Sequence, residues 1–373
     1  MIRSAPLKFA PPIDPAESKA LLDDVIDQRH RWERLFEVLT TPGHAGIGAT
    51  DHDVVLEDGP ARLLRMRLDR SAEPSGPPVL FVTAPVSRYF VLDLAPGRSF
   101  VAHVAAAGFD VYLLDFGEPD SGMRFADLDY YVNGVLHRAV RQVIALSESE
   151  RTSVVGYCLG GTLSLLYAAL HPSSIASLAL LTTSVDADVK GGIPWVAHCM
   201  GMAGESYDNP RLVPAEEVKS WFEMLAPGSN SVAGRSADLW ERLAQPVEKL
   251  RDVRTMASWV DDAVPASGRL LAELFAQFGP GKNGLMRGTA EINGRPIRFD
   301  AVTMPVLSVS AERDTIAPAD GVDAIAQLIP HARVIRLPGG HVGVVAGRTA
   351  LALWDTTVEF LRDAERADHG SGS

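Results

Sequence analysis

The chain has 373 residues, 46% of them hydrophobic, and a formal net charge of −12 at pH 7. This length and composition suffice for one large α/β domain or two medium ones with a substantial buried core. The acidic balance argues against nucleic acid or an anionic membrane surface as the main partner, because both attract basic patches. Two cysteines are too few for a disulfide framework, which favours a reducing cytoplasm. No apolar stretch reaches the ~20 residues of a transmembrane segment.

Helical and strand-like segments alternate along the chain. A helix is predicted at 16–39 and a strand at 61–68. Short apolar runs typical of strands covered on both faces follow at 79–82, 110–116, 152–156 and 175–182. Helices are predicted between them at 99–107, 128–146 and 160–170, and further strands at 306–311 and 334–337. Because parallel strands need crossover connections, we predict an α/β fold with a mostly parallel, doubly wound sheet.

The alternation stops between the two groups of strands, which predicts an inserted cap. The expected organisation is an N-terminal helical arm at 1–45, a first core segment at 46–185, a cap at 186–300, a second core segment at 301–365 and a flexible tail at 366–373. Four of the six tryptophans fall in the cap: Trp195, Trp221, Trp240 and Trp259. Two roles remain open for them, excluding water from a site or filling the cap's own core.

The main chemical motif is Gly156-Tyr157-Cys158-Leu159-Gly160-Gly161, between a strand and a helix. This is the context of a nucleophile elbow, whose tight turn needs small residues two before and two after the nucleophile. Cys158 occupies the position where serine is usual, and a helix N-terminus favours thiolate over thiol. We therefore predict that Cys158 is a nucleophile rather than a buried structural cysteine.

In the α/β-hydrolase fold, the acid and base of the triad follow the nucleophile in chain order, on loops after later strands. Asp314 follows the strand at 306–311, and His341 follows the strand at 334–337 with glycines on both sides. We predict that Asp314 and His341 complete a triad with Cys158. Asp320 and Asp323 are weaker candidates for the acid.

An oxyanion hole requires two backbone amides. The first is expected from Leu159, directly after the nucleophile, and the second from the loop at 83–86. Pro85 has no N–H to donate. Val86 and Ala84 both remain candidates for the second donor.

With these motifs in place, the chain resembles the polyhydroxyalkanoate synthases from about residue 78 to 361. The matching segments include the cysteine box at 156–161, YFVLDL at 89–94, DVYLLDFGEP at 110–119, DLDYYVN at 127–133, LLYAALHP at 165–172 and NGRPIRF at 293–299. The short stretch before the first core strand resembles the catalytic chain of the two-subunit synthase classes. The chain departs from many synthases at Thr315, where they have histidine after the catalytic aspartate.

The resemblance implies that Cys158 accepts a 3-hydroxyacyl group from coenzyme A as a thioester. His341 would activate the thiol, and Asp314 would orient His341 or help deprotonate the incoming 3-hydroxyl. The implied substrates are an (R)-3-hydroxyacyl-CoA, of short chain such as 3-hydroxybutyryl-CoA, and the growing polyester, with no metal or prosthetic group. A second synthase subunit, a homo-oligomer and cytoplasmic association with polymer granules are further expectations.

Two other functions compete with this one. A cysteine hydrolase, of the dienelactone hydrolase or thioesterase type, shares the box, but the dienelactone type lacks a long cap. A non-catalytic relative that binds polymer granules has no need of an intact Cys158, Asp314 and His341. Both alternatives are therefore less favoured than the acyltransferase.

Overall fold

The protein is described here by a computed structural model, which covers residues 14–40, 48, 50–67, 76–199, 210–225, 240, 243, 259, 262–347 and 349–370. The first residues of the predicted arm, much of the predicted cap between 200 and 261, and the last three residues lie outside the described residues. Within the described ranges, no helix combines the length and apolarity needed to cross a bilayer.

The strands in chain order are β1 (His52–Asp58), β2 (Ala61–Met66), β3 (Val79–Val82), β4 (Asp93–Ala95), β5 (Arg98–Ser99), β6 (Val111–Asp115), β7 (Thr152–Tyr157), β8 (Ile175–Leu181), β9 (Leu212–Val213), β10 (Ala266–Ser267), β11 (Glu291–Ile292), β12 (Arg295–Pro296), β13 (Val306–Ala311) and β14 (Arg333–Leu337). Eight of them form one sheet in the order β1-β2-β6-β3-β7-β8-β13-β14. In this sheet order, the last six strands, β6, β3, β7, β8, β13 and β14, are parallel to one another. Strand β2 pairs antiparallel with β6, and β1 pairs antiparallel with β2 at the edge of the sheet.

The helices are α1 (Pro15–Thr40), α2 (Phe100–Ala106), α3 (His137–Leu146), α4 (Leu159–Leu170), α5 (Gly192–Cys199), α6 (Ala215–Leu225), α7 (Gly268–Phe278), α8 (Gly284–Arg287), α9 (Ala319–Asp323), α10 (Ile325–Leu328), α11 (Gly343–Ala346) and α12 (Ala350–Gly370). Short 3₁₀ turns lie at Tyr89–Leu92, Ser121–Phe125, Pro172–Ser174 and Phe299–Ala301. The predicted helix at 128–146 is in fact a π-helix, Tyr130–Leu136, that continues into α3. At the C-terminus, α12 extends to Gly370, into the stretch predicted as a tail.

The sheet is covered on both faces, and neighbouring residues of one strand contribute to opposite cores. Leu80 of β3 packs with α3 and α4 on one face, while Phe81 packs with α2 and α12 on the other. The same alternation runs through β7, where Val154 and Val155 belong to different cores. This explains the continuous apolar runs in the sequence, since a strand buried on both faces has no polar side.

Strand β1 is the element of the large sheet that the sequence pattern does not predict. Its residues are half-buried or exposed, in contrast with the fully buried β7 and β8. An edge strand of this kind mixes polar and apolar side chains, so it lacks the apolar run that identifies the central strands. The parallel strands all have their carboxyl ends on the same side of the sheet. The loops that follow these strands therefore lie together.

Candidate active site

Cys158 lies in the turn between β7 and α4, in a backbone conformation that is uncommon for a residue with a side chain. Its φ is 55° and its ψ is −125°. The Cys158 amide donates to the Leu181 carbonyl at 2.9 Å, which ties the turn to the end of the neighbouring strand β8. Non-glycine residues are rare at positive φ and concentrate at functional sites when the surrounding fold holds them there. The elbow predicted from the sequence thus has the strained geometry that the motif requires.

The glycines of the motif are required by close packing. A Cβ atom added to Gly160 would lie 2.2 Å from the Thr83 carbonyl oxygen, and one added to Gly161 would lie 1.8 Å from Thr183 Oγ1. At Gly156, the added atom would lie 2.6 Å from the Gly161 Cα. These distances leave no room for a methyl group, so the three glycines allow α4 to start directly against the sheet edge.

Asp314 and His341 form a buried hydrogen-bonded pair. His341 Nδ1 lies 2.8 Å from Asp314 Oδ2, and the exposed fractions of the two side chains are 6% and 0%. The other carboxylate oxygen, Oδ1, accepts the backbone amides of Ile316 and Ala317, each at 2.8 Å. Both oxygens of Asp314 are therefore engaged, and its side chain holds the imidazole in one orientation.

The Cys158 side chain also interacts with the His341 imidazole, so the three predicted triad residues come together. Burial disfavours a charge on the ring, but the negative charges of Cys158 and Asp314 outweigh burial and raise the pKa of His341 to about 10. At neutral pH, His341 is therefore expected to hold its proton beside the sulfur. An adjacent imidazolium favours the thiolate form of a cysteine, which is the nucleophilic form.

Three residues of the site were missed in the sequence analysis. Tyr157 is buried, its ring lies 5.3 Å from that of His341, and its hydroxyl donates to the His341 carbonyl at 3.5 Å. Thr183 Oγ1 lies 3.3 Å from the Cys158 carbonyl and supports the elbow from β8. Thr182, beside it, lines the cavity described next. The position of Thr182 and Thr183 at the end of a predicted strand and directly after it was the available signal.

Cys158 opens onto a cavity of about 180 Å³. Polar lining residues include Thr162, Thr182 and Ser184, whereas most of the wall is apolar. The apolar lining comes from the loops at the sheet edge and from α5, α6 and α7, with Ile193, Trp221, Phe222, Leu271, Leu274, Phe275 and Phe278 among its members. A mostly apolar cleft with a few placed polar groups is typical of a small-molecule site.

Of the predicted oxyanion residues, Leu159 is the first residue of α4 and lines the cavity, as does Val86. Ala84 is buried, its carbonyl accepts the Ser87 amide at 3.2 Å, and it is absent from the described lining of the cavity. This placement favours Val86 over Ala84 as the second donor, a choice that the sequence leaves open.

The weaker candidates for the acid lie elsewhere. Asp320 accepts from Arg336 at 2.7 Å and Asp323 accepts from the same guanidinium at 3.0 Å, so both carboxylates are directed toward Arg336. Thr315, at the position where many synthases have histidine, is exposed. Cys199 is exposed at the end of α5.

The four cap tryptophans have different surroundings. Trp221 lines the cavity, and Trp259 donates its indole N–H to the Arg88 carbonyl at 3.0 Å. Trp240 packs edge-to-face with Trp32 of α1 at 5.4 Å between ring centroids. Among the four, Trp221 is therefore the one placed to keep water from Cys158.

Comparison with known proteins supports the fold. A family model described as "alpha/beta hydrolase fold" matches residues 92–202, which include Cys158. Among solved structures, a membrane phospholipase A is 16% identical, with a TM-score of 0.51 over 94% of this chain and 98% of that chain. The α/β-hydrolase fold predicted from the sequence is confirmed.

Curated proteins give a more specific likeness. The chain is 28% identical over 343 residues to the poly(3-hydroxyalkanoate) polymerase subunit PhaC of Thiocystis violacea, covering 90% of this chain and 95% of that protein. The protein of the same name from Haloferax mediterranei is 28% identical over 373 residues, covering 92% of this chain and 72% of the relative. The resemblance to the polyhydroxyalkanoate synthases is thereby confirmed over most of the chain.

Proposed function

We propose that this chain is a polyhydroxyalkanoate synthase-like acyltransferase that polymerises (R)-3-hydroxyacyl-CoA through an acyl thioester on Cys158. The observation that carries the proposal is the contact of a buried His341–Asp314 pair with a cysteine, at the elbow of a chain that resembles named polymerase subunits over nine-tenths of its length. A cysteine nucleophile suits acyl transfer, because exchanging one thioester for another keeps the acyl group activated.

The first step forms the acyl-enzyme. The Cys158 thiolate attacks the thioester carbonyl of the donor, and we expect the amides of Leu159 and Val86 to receive the oxyanion. The bond between the carbonyl carbon and the coenzyme A sulfur then breaks, and the leaving thiolate takes the proton from His341. Because the sulfur of Cys158 is now neutral, one of the two charges that raise the pKa of His341 is lost, which favours this proton transfer.

The second step extends the polymer. Neutral His341 accepts the proton of an incoming 3-hydroxyl, and the resulting alkoxide attacks the carbonyl of the acyl group on Cys158. The Cys158 thiolate leaves, an ester bond has formed, and His341 is protonated again. The starting ion pair is restored, with Asp314 orienting the imidazole throughout.

An alcohol must compete with water in the second step. The apolar wall of the cavity, with Trp221 and Phe222 of α6 and Leu271 of α7, supports this function because it disfavours ordered water near the thioester. The reaction as written requires a coenzyme A thioester as a substrate and no metal or prosthetic group.

The relatives bear names that describe polymerase subunits. We include in the proposal that the chain acts together with a second synthase subunit, assembles as a homo-oligomer and binds the surface of the polymer granule. Analytical ultracentrifugation of the chain, with and without a candidate partner subunit, would test the first two points.

The decisive experiment mixes the purified protein with 3-hydroxybutyryl-CoA, follows the release of free thiol and determines the acyl products by mass spectrometry. The matched control is Cys158→Ala, which we expect to abolish acyl transfer while leaving the thermal unfolding temperature close to that of the parent. Thiol release with oligomeric esters, absent in Cys158→Ala, would support the synthase.

Each other outcome has its own meaning. Release of free hydroxy acid alone would favour a cysteine hydrolase of the thioesterase type. Turnover that persists in Cys158→Ala would overturn the covalent mechanism. If no thiol is released with this donor, the assay is repeated with longer acyl donors and with a candidate partner subunit. If these also release no thiol, the non-catalytic, granule-binding alternative is favoured.

A further inference from the structure

Thr182 carries two unfavourable features that the fold and the triad leave unexplained. It follows β8 directly, and its φ is 47°, a conformation that is strained for a β-branched residue. Its Oγ1 atom is shielded from solvent and has no hydrogen-bond partner among the described residues. A buried hydroxyl without a partner is costly, and such a group in a native structure calls for an explanation, such as a functional role or a bound water or ion.

Thr182 lines the same cavity as Cys158, and the sheet order fixes on which side. Cys158 follows β7, which lies between β3 and β8. Val86, the candidate oxyanion donor, follows β3. Thr182 therefore flanks Cys158 on the side opposite to the oxyanion loop.

This arrangement separates two polar groups of a bound acyl chain. A carbonyl oxygen held by Leu159 and Val86 points toward the β3 side. The third carbon, which carries the hydroxyl, is two bonds from the carbonyl carbon, so the hydroxyl is free to point to the β8 side. Because a threonine hydroxyl both donates and accepts, it matches a substrate hydroxyl.

We propose that Thr182 is a specificity-determining residue, whose hydroxyl hydrogen-bonds the 3-hydroxyl of the acyl group delivered to Cys158. This inference rests on the proposed acyltransferase function and names the group by which the site selects its substrates. A site that hydrogen-bonds a substrate hydroxyl discriminates against the analogue that lacks it, because its own polar group is then left unpaired.

The neighbouring Thr183 provides the contrast within the same dipeptide. Its Oγ1 lies 3.3 Å from the Cys158 carbonyl and 3.2 Å from the Leu181 carbonyl, so its hydroxyl is used by the fold. Removing the Thr183 hydroxyl should therefore lower the unfolding temperature. Removing the Thr182 hydroxyl should not lower it, because that group bonds nothing among the residues that the structure describes.

The test compares two acyl donors under single-turnover conditions, with the enzyme in excess. Butyryl-CoA can acylate Cys158 but has no 3-hydroxyl, whereas 3-hydroxybutyryl-CoA has one. We expect the parent chain to release coenzyme A about tenfold or more faster from the hydroxyacyl donor, as loss of a buried hydrogen bond implies. Thr182→Val should reduce this ratio toward one by slowing the hydroxyacyl donor more than the butyryl donor, and Thr182→Ser should retain the ratio.

The possible outcomes distinguish a failure of the proposed role of Thr182 from a failure of the proposed acyltransferase function. If Thr182→Val keeps the parent's ratio, or lowers both rates equally, Thr182 has only a structural role. If the parent chain is acylated equally fast by both donors, this inference fails and the proposed function stands. If neither donor acylates the parent chain, with or without a candidate partner subunit, the proposed function fails and this inference fails with it.

Discussion

At the scale of single residues, the chemistry depends on where one proton resides. His341 is buried and carries a pKa raised to about 10, because Cys158 and Asp314 supply more stabilisation of the imidazolium than burial removes. Over the pH range below this value, His341 is therefore expected to remain protonated in the free enzyme. A cation beside the sulfur is expected to assist attack by Cys158, because the thiolate is the nucleophilic form of a cysteine.

The effect of the protonated His341 on Cys158 is tested by replacing His341 with glutamine, which keeps a polar side chain but removes the charge. We expect the alkylation of Cys158 by iodoacetamide at pH 7 to slow by about tenfold or more, because an unassisted thiol is only a few per cent thiolate there. Cys199 is exposed and would also react, so parent and variant should both carry Cys199→Ser. Equal alkylation rates in the two proteins would contradict the ion pair.

A second prediction concerns the orientation of the same ring. In Asp314→Asn, the amide oxygen can still accept the amides of Ile316 and Ala317, which leaves the NH₂ group facing His341 Nδ1. The neutral ring then carries its proton on Nε2, where it cannot accept a proton from Cys158 or from an incoming 3-hydroxyl, and the overall turnover rate should fall by roughly 10³–10⁴-fold. Asp320→Asn, which affects only a surface pair with Arg336, serves as the control and should keep full activity. A normal rate in Asp314→Asn would assign Asp314 to folding alone.

At the scale of elements, the start of α4 against β3 determines where Cys158 stands. Gly160 lies so close to the end of β3 that an added Cβ would lie 2.2 Å from the Thr83 carbonyl oxygen and 2.4 Å from that of Val82. Both contacts are with backbone, which cannot rotate away. We therefore expect Gly160→Ala to lower the free energy of unfolding by about 2 kcal/mol or more, as measured by urea denaturation.

The matched control is Gly343→Ala at the start of α11. An added Cβ there meets no atom within 4 Å, and the backbone is not in a positive-φ conformation. Alanine in a helix is favoured over glycine by roughly 0.5–1 kcal/mol, so this variant should be unchanged or more stable. A loss of stability in both variants, or in neither, would contradict the close-packing explanation.

The elements also show how far the sequence leads. Strands β7, β8 and β13 were predictable because burial on both faces leaves continuous apolar runs, and the glycine box marks the turn after β7. Strand β1 was not, since an edge strand needs only partial burial. The π-helix at Tyr130–Leu136 was not either, because its apolar residues fit the α-helical period closely enough to conceal the wider turn.

The site shows the same limit. The candidate triad of Cys158, Asp314 and His341 could be predicted from residue type and from position after strands. Thr182 was missed because threonine is common at the ends of strands, and neither its positive φ nor its unpartnered hydroxyl is visible in a sequence. The choice between Val86 and Ala84 likewise depended on three-dimensional placement.

At the scale of the whole molecule, one edge of the sheet gathers the site from distant parts of the chain. The loops after β3, β7, β8, β13 and β14 are adjacent because those strands are parallel neighbours. Helices α5, α6 and α7, from the segment between β8 and β13, supply most of the apolar wall. The sheet thus positions the reacting groups, while the inserted segment determines what surrounds them.

This division of roles predicts that a smaller side chain in the apolar wall of the cavity changes the products formed, while acyl transfer to Cys158 continues. Trp221 is 8% exposed and lines the cavity, so Trp221→Leu should admit water to the acyl group on Cys158. With 3-hydroxybutyryl-CoA, we expect the share of free hydroxy acid among the products to rise several-fold, while coenzyme A release continues. Trp195→Leu on α5 makes the same substitution at a residue outside the described lining of the cavity, and its product ratio should match the parent. If the two variants give the same products, the cap tryptophans only fill space, and water must be excluded from Cys158 by other groups.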